Sequence, residues 1–523
     1  MKRMQRITAV VLVLLLTFAL TACSEQQEQF SLRISLPEQV NTLDPALVSN
    51  QTEMTVVSHL YENLLKLTDD GSGWGKAVGG MALNYRCENN EDGTQTYTFA
   101  LRNGITWSDG VPVKAGDFVY AWQRLVDPAT GSPNAHVLEM VAGYDAVRDG
   151  GDVTKLQVSA PDDKTLVVVL ESSCLYFAEV VGTHAATMPV RADMTAAENW
   201  SMNPATLVTN GAYRKVGQLS EGALWVSVDE EYYDAAQLGP DELQFTFAAV
   251  DEEADFVLTY DGVEGEEWNN GYLPRVGSLV INQMASLPEA LRQAMSLTVD
   301  RNEISDLLGS VYVPAEGLIP FGIRTTQNGQ FRELVGQLIE NDPEEYESRC
   351  QAARELLVGQ ELPAEGHISL MYENEPATEQ AAQTLQTMWE EQLDIRVRLI
   401  PMESSEMVRE LQKGNFTMAL VMDESEYNDA SAILRGWKSG ATENYAHINN
   451  SAYDLLMRIS DASASTEARD AYLGDAERML LENGYVVPLC FVTDGWRLAE
   501  GLSGVFSDGM GGYRFTHMAK TGK

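Results

Sequence analysis

The chain has 523 residues and a formal charge of −41, from 77 Asp and Glu against 36 Lys and Arg. So acidic a surface repels phosphate backbones and argues against nucleic acid as a partner. A composition 44% apolar, with 9 Trp and 20 Tyr, argues against a disordered chain, and the length exceeds what one core serves, so two or more domains are expected.

Lys2, Arg3 and Arg6 precede an apolar run from Ile7 to Leu20, which ends in Leu20-Thr21-Ala22-Cys23. A basic start, a short apolar stretch and small residues before a cut describe a secretory signal, too short to be a comfortable membrane span. The four closing residues resemble a bacterial lipobox. The resemblance implies cleavage after Ala22, lipidation of Cys23 and a polar tether over 23–30. No later segment is apolar for the roughly 18 residues that a spanning helix needs.

Phe30, Leu32, Ile34 and Leu36 alternate and predict a strand. Thr96 to Arg102 predicts another, closed by a Gly104 turn, and Lys164 to Glu171 has the continuous apolar look of a strand buried on both faces. Phe118, Ala121, Trp122 and Leu125 form one face of a helix. Strands follow at Leu224 to Val228, Leu243 to Phe247, Phe256 to Tyr260 and Ser278 to Asn282. Pro288 to Leu308 predicts a long amphipathic helix with proline in its first turn.

From His367 to Met422 the pattern runs strand, helix, strand, helix, strand, with strands at Ile368 to Tyr372, Ile395 to Ile400 and Phe416 to Met422. That alternation predicts parallel pairing through helical crossovers. Helices near Tyr453 to Ile459 and Glu467 to Leu481 and a strand at Val486 to Val492 complete an α/β chain.

No HExxH, GxSxG, SxxK or GxxxxGK[ST] pattern occurs, and the six histidines are isolated, so neither catalysis nor a metal or cofactor is expected. Cys87, Cys174, Cys350 and Cys490 have no metal-ligand spacing; disulfides and buried free thiols both remain open. The acids are scattered along the chain. Solubility accounts for them, and the sharper reading is an electrostatic preference for cationic ligands.

One string, YTFALRNGITWSDGVPVKAGDFVYAWQRLVDP over residues 97–128, resembles the signature of extracellular solute-binding proteins of the peptide and nickel class, especially the oligopeptide binders. Other resemblances follow in the family's order: Leu43-Asp44-Pro45, Leu60 to Leu64, Asn210-Gly211-Ala212-Tyr213, Ala290 to Ile304, Tyr445 to Leu456 and Val487-Pro488-Leu489. The resemblance implies a two-lobed fold of the periplasmic-binding-protein type (type II, cluster C) that closes like a hinged clamp, with an extra domain in the larger lobe. On that template residues 1–22 are signal, 31–50, 165–275 and 487–523 form lobe I, 51–164 the extra domain, and 276–486 lobe II.

The implied function is capture of short extended peptides by a monomeric, lipid-anchored protein on the extracytoplasmic side of the cell membrane, for delivery to the permease of an ABC importer. A peptide-sensing lipoprotein, or a binder of nickel chelates, haem or sugar, are the alternatives on the same scaffold.

Where the family clamps the ligand's ammonium with an aspartate, the matching string is Ser425-Glu426-Tyr427-Asn428-Asp429, so Glu426 inherits the role. A solvated acid at a strand end is the plainer reading of Glu426. Ser49, Asn50 and Gln51 align with backbone that pairs with the ligand, and Asn444, Tyr445 and Trp437 with cleft positions. Core packing competes for Tyr445 and Trp437. The chain departs from the family pattern at Asp423, where a tryptophan is usual, at Ala430 for proline, and at Cys490-Phe491 for an aromatic pair.

Overall fold

The computed structural model describes residues 29–521, apart from 70, 204, 217–221, 264, 364–366 and 464. The signal segment and Cys23 lie outside the described residues. Among the described residues no helix is long and apolar enough to cross a membrane.

An eleven-stranded mixed sheet runs the length of the molecule. One end is built from Ser31–Leu36, Tyr213–Lys215, Ala223–Val228, Glu242–Phe247 and Phe256–Thr259. The other end carries Ser369–Glu373, Arg398–Met402 and Met418–Glu424, with Ser369–Glu373 parallel to both neighbours as the strand-helix alternation predicts. Helices Pro376–Leu393 and Ser404–Lys413 make the crossovers.

Two antiparallel strands of 13 residues each, Asn269–Ile281 and Val486–Leu498, join the halves. The far half of Val486–Leu498 pairs with Phe256–Thr259, and the far half of Asn269–Ile281 pairs with Met418–Glu424. Their ladder breaks between Tyr272 and Val276, around Pro274, which has no N–H to donate. A second register shift follows between Gly277 and Ser278, which makes this pair of chain crossings the candidate hinge between lobes. Gly271 sits just before the break, where a Cβ would lie 2.0 Å from Tyr513 Oη and 2.5 Å from Asp494 Oδ1, so only glycine lets the chains approach.

Alternate residues of the second lobe's sheet enter separate cores. Val276, Val280, Met371 and Ala419 face one, and Leu279, Ile281, Leu370 and Met418 the other. Period-two alternation with helices on both faces accounts for both.

A separate four-stranded antiparallel sheet, in the order Ala82–Asn89, Gln95–Leu101, Thr165–Leu170, Val158–Asp162, lies over helix Ala115–Val126. The boundary expected at 164/165 falls in the turn of a hairpin, with Thr165–Leu170 in the same sheet as Val158–Asp162. That strand is also not buried on both faces: Leu166, Val168 and Leu170 are buried, whereas Thr165, Val167 and Val169 are half-buried. The valines on the outer face reflect β-branched preference rather than a second core.

The predicted 288–308 helix is two helices, Glu289–Leu297 and Arg301–Leu308. The Asp300 side chain accepts from Asn302 N and Glu303 N, capping the second helix and ending the run between them. All four cysteines of the described chain are free thiols, with Cys87 exposed and the other three buried.

The resemblance-bearing motifs turn out to be scaffold. Asp44 of Leu-Asp-Pro accepts from Ala46 N and from Arg124 Nη1 at 2.8 Å, tying the first segment to helix Ala115–Val126. Asn210 exchanges hydrogen bonds with the Glu62 backbone, and Asn63 donates to Val181 O, His184 O and Thr187 Oγ1. Trp107 of the long string is buried, its indole N–H donating to Asp117 at 3.1 Å.

Candidate binding cleft

Strand Met418–Glu424 ends at the gap between the lobes and continues as Ser425 to Asp429. Four of these five residues are tied down. Ser425 N donates to Pro274 O at the hinge, and its hydroxyl donates to Tyr427 O. Tyr427 is buried against the opposite lobe, stacked on Tyr176. Asn428 donates to Gly322 O and Asp508 O and accepts from Arg324 N, so it ties together a junction of three loops at the wall of the cleft.

Asp429 is held bidentate by Arg469, with both partners buried. Burial alone would raise the Asp429 carboxyl, but the Arg469 charge and hydrogen bonds from Arg469 and Ser431 hold it below the usual carboxylate value.

Only Glu426 projects outward, its side chain 63% exposed. Its carboxylate faces His136 across the gap, Oε2 to Nε2 4.0 Å, from the Ala135–Leu138 turn. A fixed loop thus presents one exposed carboxylate, which suits recognition of a cation at little ordering cost.

Glu426 and Tyr427 line two hollows at once. One, of about 350 Å³, is lined by Gln51, His136, Arg324 and Glu426. The Gln51 Oε1 is buried and accepts no hydrogen bond from the described residues. The other, of about 630 Å³, is lined by Asp423, Glu426, Arg435, Trp437, Glu443 and Tyr445 among others.

Burial pushes the Asp423 carboxyl up to about 6, and its Oδ2 has no partner among the described residues. Arg435 is bound to Asp461 at 3.2 Å, reaches Glu139 at 3.9 Å and lies over the Tyr176 ring.

The sequence-predicted residues divide accordingly. Gln51, Glu426, Tyr427, Asn428, Trp437 and Tyr445 line the hollows. Ser49 and Asn50 use their side chains to begin helix Gln51–Leu60: Asn50 caps Glu53 N at 2.8 Å, and Ser49 donates to the buried Glu53 carboxylate. The Asn444 amide is spent on Lys438 O and on both backbone groups of Ile448, which folds its own loop. His136 and Arg435 carried no sequence signal, being a lone histidine and a lone arginine in unremarkable turns. Asp423 was visible only as a departure from pattern.

Two lobes joined by a pair of crossing strands, with a polar cleft between them and the exposed Glu426 carboxylate presented into it, define a two-lobed ligand-binding protein. The chain belongs to the bacterial extracellular solute-binding proteins of family 5, whose middle-region model matches residues 76–445.

It is 27% identical to the periplasmic oligopeptide-binding protein OppA of Escherichia coli, over 87% of this chain and 85% of that protein. It is 28% identical to an E. coli protein named "Probable deoxycholate-binding periplasmic protein YgiS", over 86% of each. Among solved structures, the unliganded open form of the murein tripeptide-binding protein MppA matches with a TM-score of 0.83 at 24% identity, covering 94% of this chain and 98% of that one.

Proposed function

We propose that this protein captures short extended peptides between its lobes and hands them to the permease of an ABC importer, with Glu426 receiving the peptide's ammonium group. The observation that carries the reading is the Glu426 carboxylate, exposed on a loop whose four other residues are anchored, and lining two hollows at once. An ammonium bound there in a closed cleft gains a charge-assisted hydrogen bond. The buried, unsatisfied Gln51 Oε1 on the opposite wall is an acceptor waiting for a peptide N–H. Relatives named for oligopeptide binding support the ligand class.

In this reading the protein is a binding component and not an enzyme. It acts as a monomer tethered outside the cell membrane through lipidated Cys23, and the open cleft closes by bending at the Tyr272–Val276 break in the crossing strands.

The test is to express the protein from residue 24 onward, purify it without refolding, and identify released small molecules by mass spectrometry. A mixture of short peptides of similar length is expected. Glu426→Gln should weaken peptides with a free N-terminus about 10- to 100-fold, the worth of a hydrogen bond to a charged group, and leave N-acetylated ones nearly unchanged. Release of one non-peptide compound, such as a bile acid, would overturn the peptide reading.

A further inference from the structure

The larger hollow has a charge balance that the capture of an ammonium group does not use. Its walls carry six carboxylates against two cations, Arg435 and Lys438. Three of those acids are matched: Glu139 and Asp461 by Arg435, and Glu424 by Arg275 at 3.1 Å. Glu426 serves the peptide terminus in the reading above. That leaves Asp423 and Glu443, for which no ion pair is found among the described residues.

Asp423 has the more pointed geometry. It sits one residue before the end of strand Met418–Glu424, opposite Val276 at the hinge break, with Oδ2 buried and without a partner. An unpaired carboxylate oxygen held away from water is costly unless something satisfies it. Tyr445 and Trp437 line the same hollow, Trp437 nearly buried and Tyr445 half-buried. Glu443 and Asp423 line that hollow with Tyr445, and burial followed by their charges raises the Tyr445 hydroxyl. Aromatic faces leading to an uncompensated carboxylate suit a long side chain with an apolar stem and a cationic head. The volume of about 630 Å³ admits one with its water.

We propose that this hollow is a side-chain pocket selective for basic residues, which takes a lysyl or arginyl group of the bound peptide between Trp437 and Tyr445 and pairs its charge with Asp423, helped by Glu443. The inference rests on the peptide-binding reading and names the substrate class within it: cationic peptides. Because Glu426 borders the same hollow, the basic residue falls near the peptide's N-terminus.

Calorimetry on a tripeptide set tests it. In Ala-Ala-Ala, each position is replaced in turn by lysine, by norleucine, which keeps the stem and lacks the charge, and by glutamate. Lysine is expected to bind about tenfold tighter than norleucine at one position, with glutamate weakest there. Asp423→Asn should bring lysine and norleucine within about twofold while leaving Ala-Ala-Ala affinity in place, which also certifies the fold. Glu443→Gln, at an exposed residue, should narrow the ratio partly. Equal binding of lysine and norleucine at every position overturns the pocket and leaves peptide capture standing, as does a tenfold preference that survives Asp423→Asn. Failure of every tripeptide to bind removes the peptide reading and the pocket together.

Discussion

Tyr176 of one lobe and Tyr427 of the other stack with ring centroids 5.8 Å apart and planes 11° from parallel, directly beside the only exposed side chain of the Ser425–Asp429 loop. The Arg469 guanidinium lies 4.3 Å from the Tyr176 centroid on the same assembly. Both tyrosines are buried, so the stack contributes area and ring geometry together, and the cation adds to it. Tyr427 is thereby a fixed point from which Glu426 is aimed.

Removing that fixed point should reach stability and affinity by different amounts. Tyr427→Ala is expected to cost about 3–5 kcal/mol of unfolding free energy, as large buried aromatics do when truncated. If the protein stays folded at working temperature, peptide affinity should fall as well, because the loop must then be ordered on binding. Tyr427→Phe keeps the ring and should change both by less than about 1 kcal/mol, since the hydroxyl has only a long 3.5 Å contact with Ser431 Oγ. Chemical denaturation with calorimetry on both variants checks the contrast.

The Asp429–Arg469 pair behind the loop gives a sharper prediction. Arg469 donates from Nη1 and Nη2 to the two Asp429 oxygens at 2.9 and 2.7 Å, and from Nη1 to Thr326 Oγ1 at 2.7 Å. Asp429→Ala removes the bidentate partner of a buried guanidinium, leaving it Asp470 at 3.6 Å, and should destabilise by about 3 kcal/mol. The double variant Asp429→Ala with Arg469→Met should lose less than the sum of the single losses. The Asp429 carboxyl is held low in the folded state, so its contribution is present above the unfolded-state value, near pH 4, and disappears as pH falls through the folded value. Urea unfolding at neutral pH and in acid should therefore find the Asp429→Ala deficit smaller in acid.

How far these features could be read beforehand depends on what each residue does. Alternating strands such as Ser31–Leu36 and Glu242–Phe247 declare themselves because one face meets a core. The crossing strands were legible only over Ser278 to Asn282 and Val486 to Val492. Their hinge halves contain Asn269, Asn270, Gly271, Pro274, Thr493, Asp494 and Gly495, and their pattern obeys the lobe junction rather than a core. The break at Thr298 to Asp300 was hidden because buried Val299 extends the i, i+4 stripe of Leu291 and Met295 into it.

The string over 97–128 carried the family resemblance without lining either hollow, since its residues build strand Gln95–Leu101 and helix Ala115–Val126. Glu426 was reached through resemblance alone. Neither its exposure nor the anchoring of Tyr427, Asn428 and Asp429 is a local property of five residues; the anchoring partners lie from 40 positions away, for Arg469, to about 250, for Tyr176.

The hinge carries a titratable group of its own, and its pH dependence runs opposite to that of Asp429. Asp494 lies in strand Val486–Leu498 opposite Gly271, accepting from Gly271 N at 3.0 Å and from Tyr513 Oη at 2.8 Å. Burial pushes its carboxyl up to about 7, against the lowering effect of those two hydrogen bonds. A carboxyl with a folded value near 7 and an unfolded value near 4 stays protonated in the native chain while the unfolded chain has released its proton. Across that window the folded state binds more protons, so stability falls as pH rises from about 4 to about 7 and then levels.

Asn is close to isosteric with the protonated acid and can still accept from Gly271 N and Tyr513 Oη, with no charge to bury. Asp494→Asn should therefore match the parent near pH 4, exceed it at neutral pH, and flatten the slope between. Thermal unfolding of both proteins from pH 4 to 8 measures this directly. Parallel curves with a constant offset would mean that Asp494 is ionised in the folded hinge throughout, with Tyr513 and Gly271 stabilising its charge.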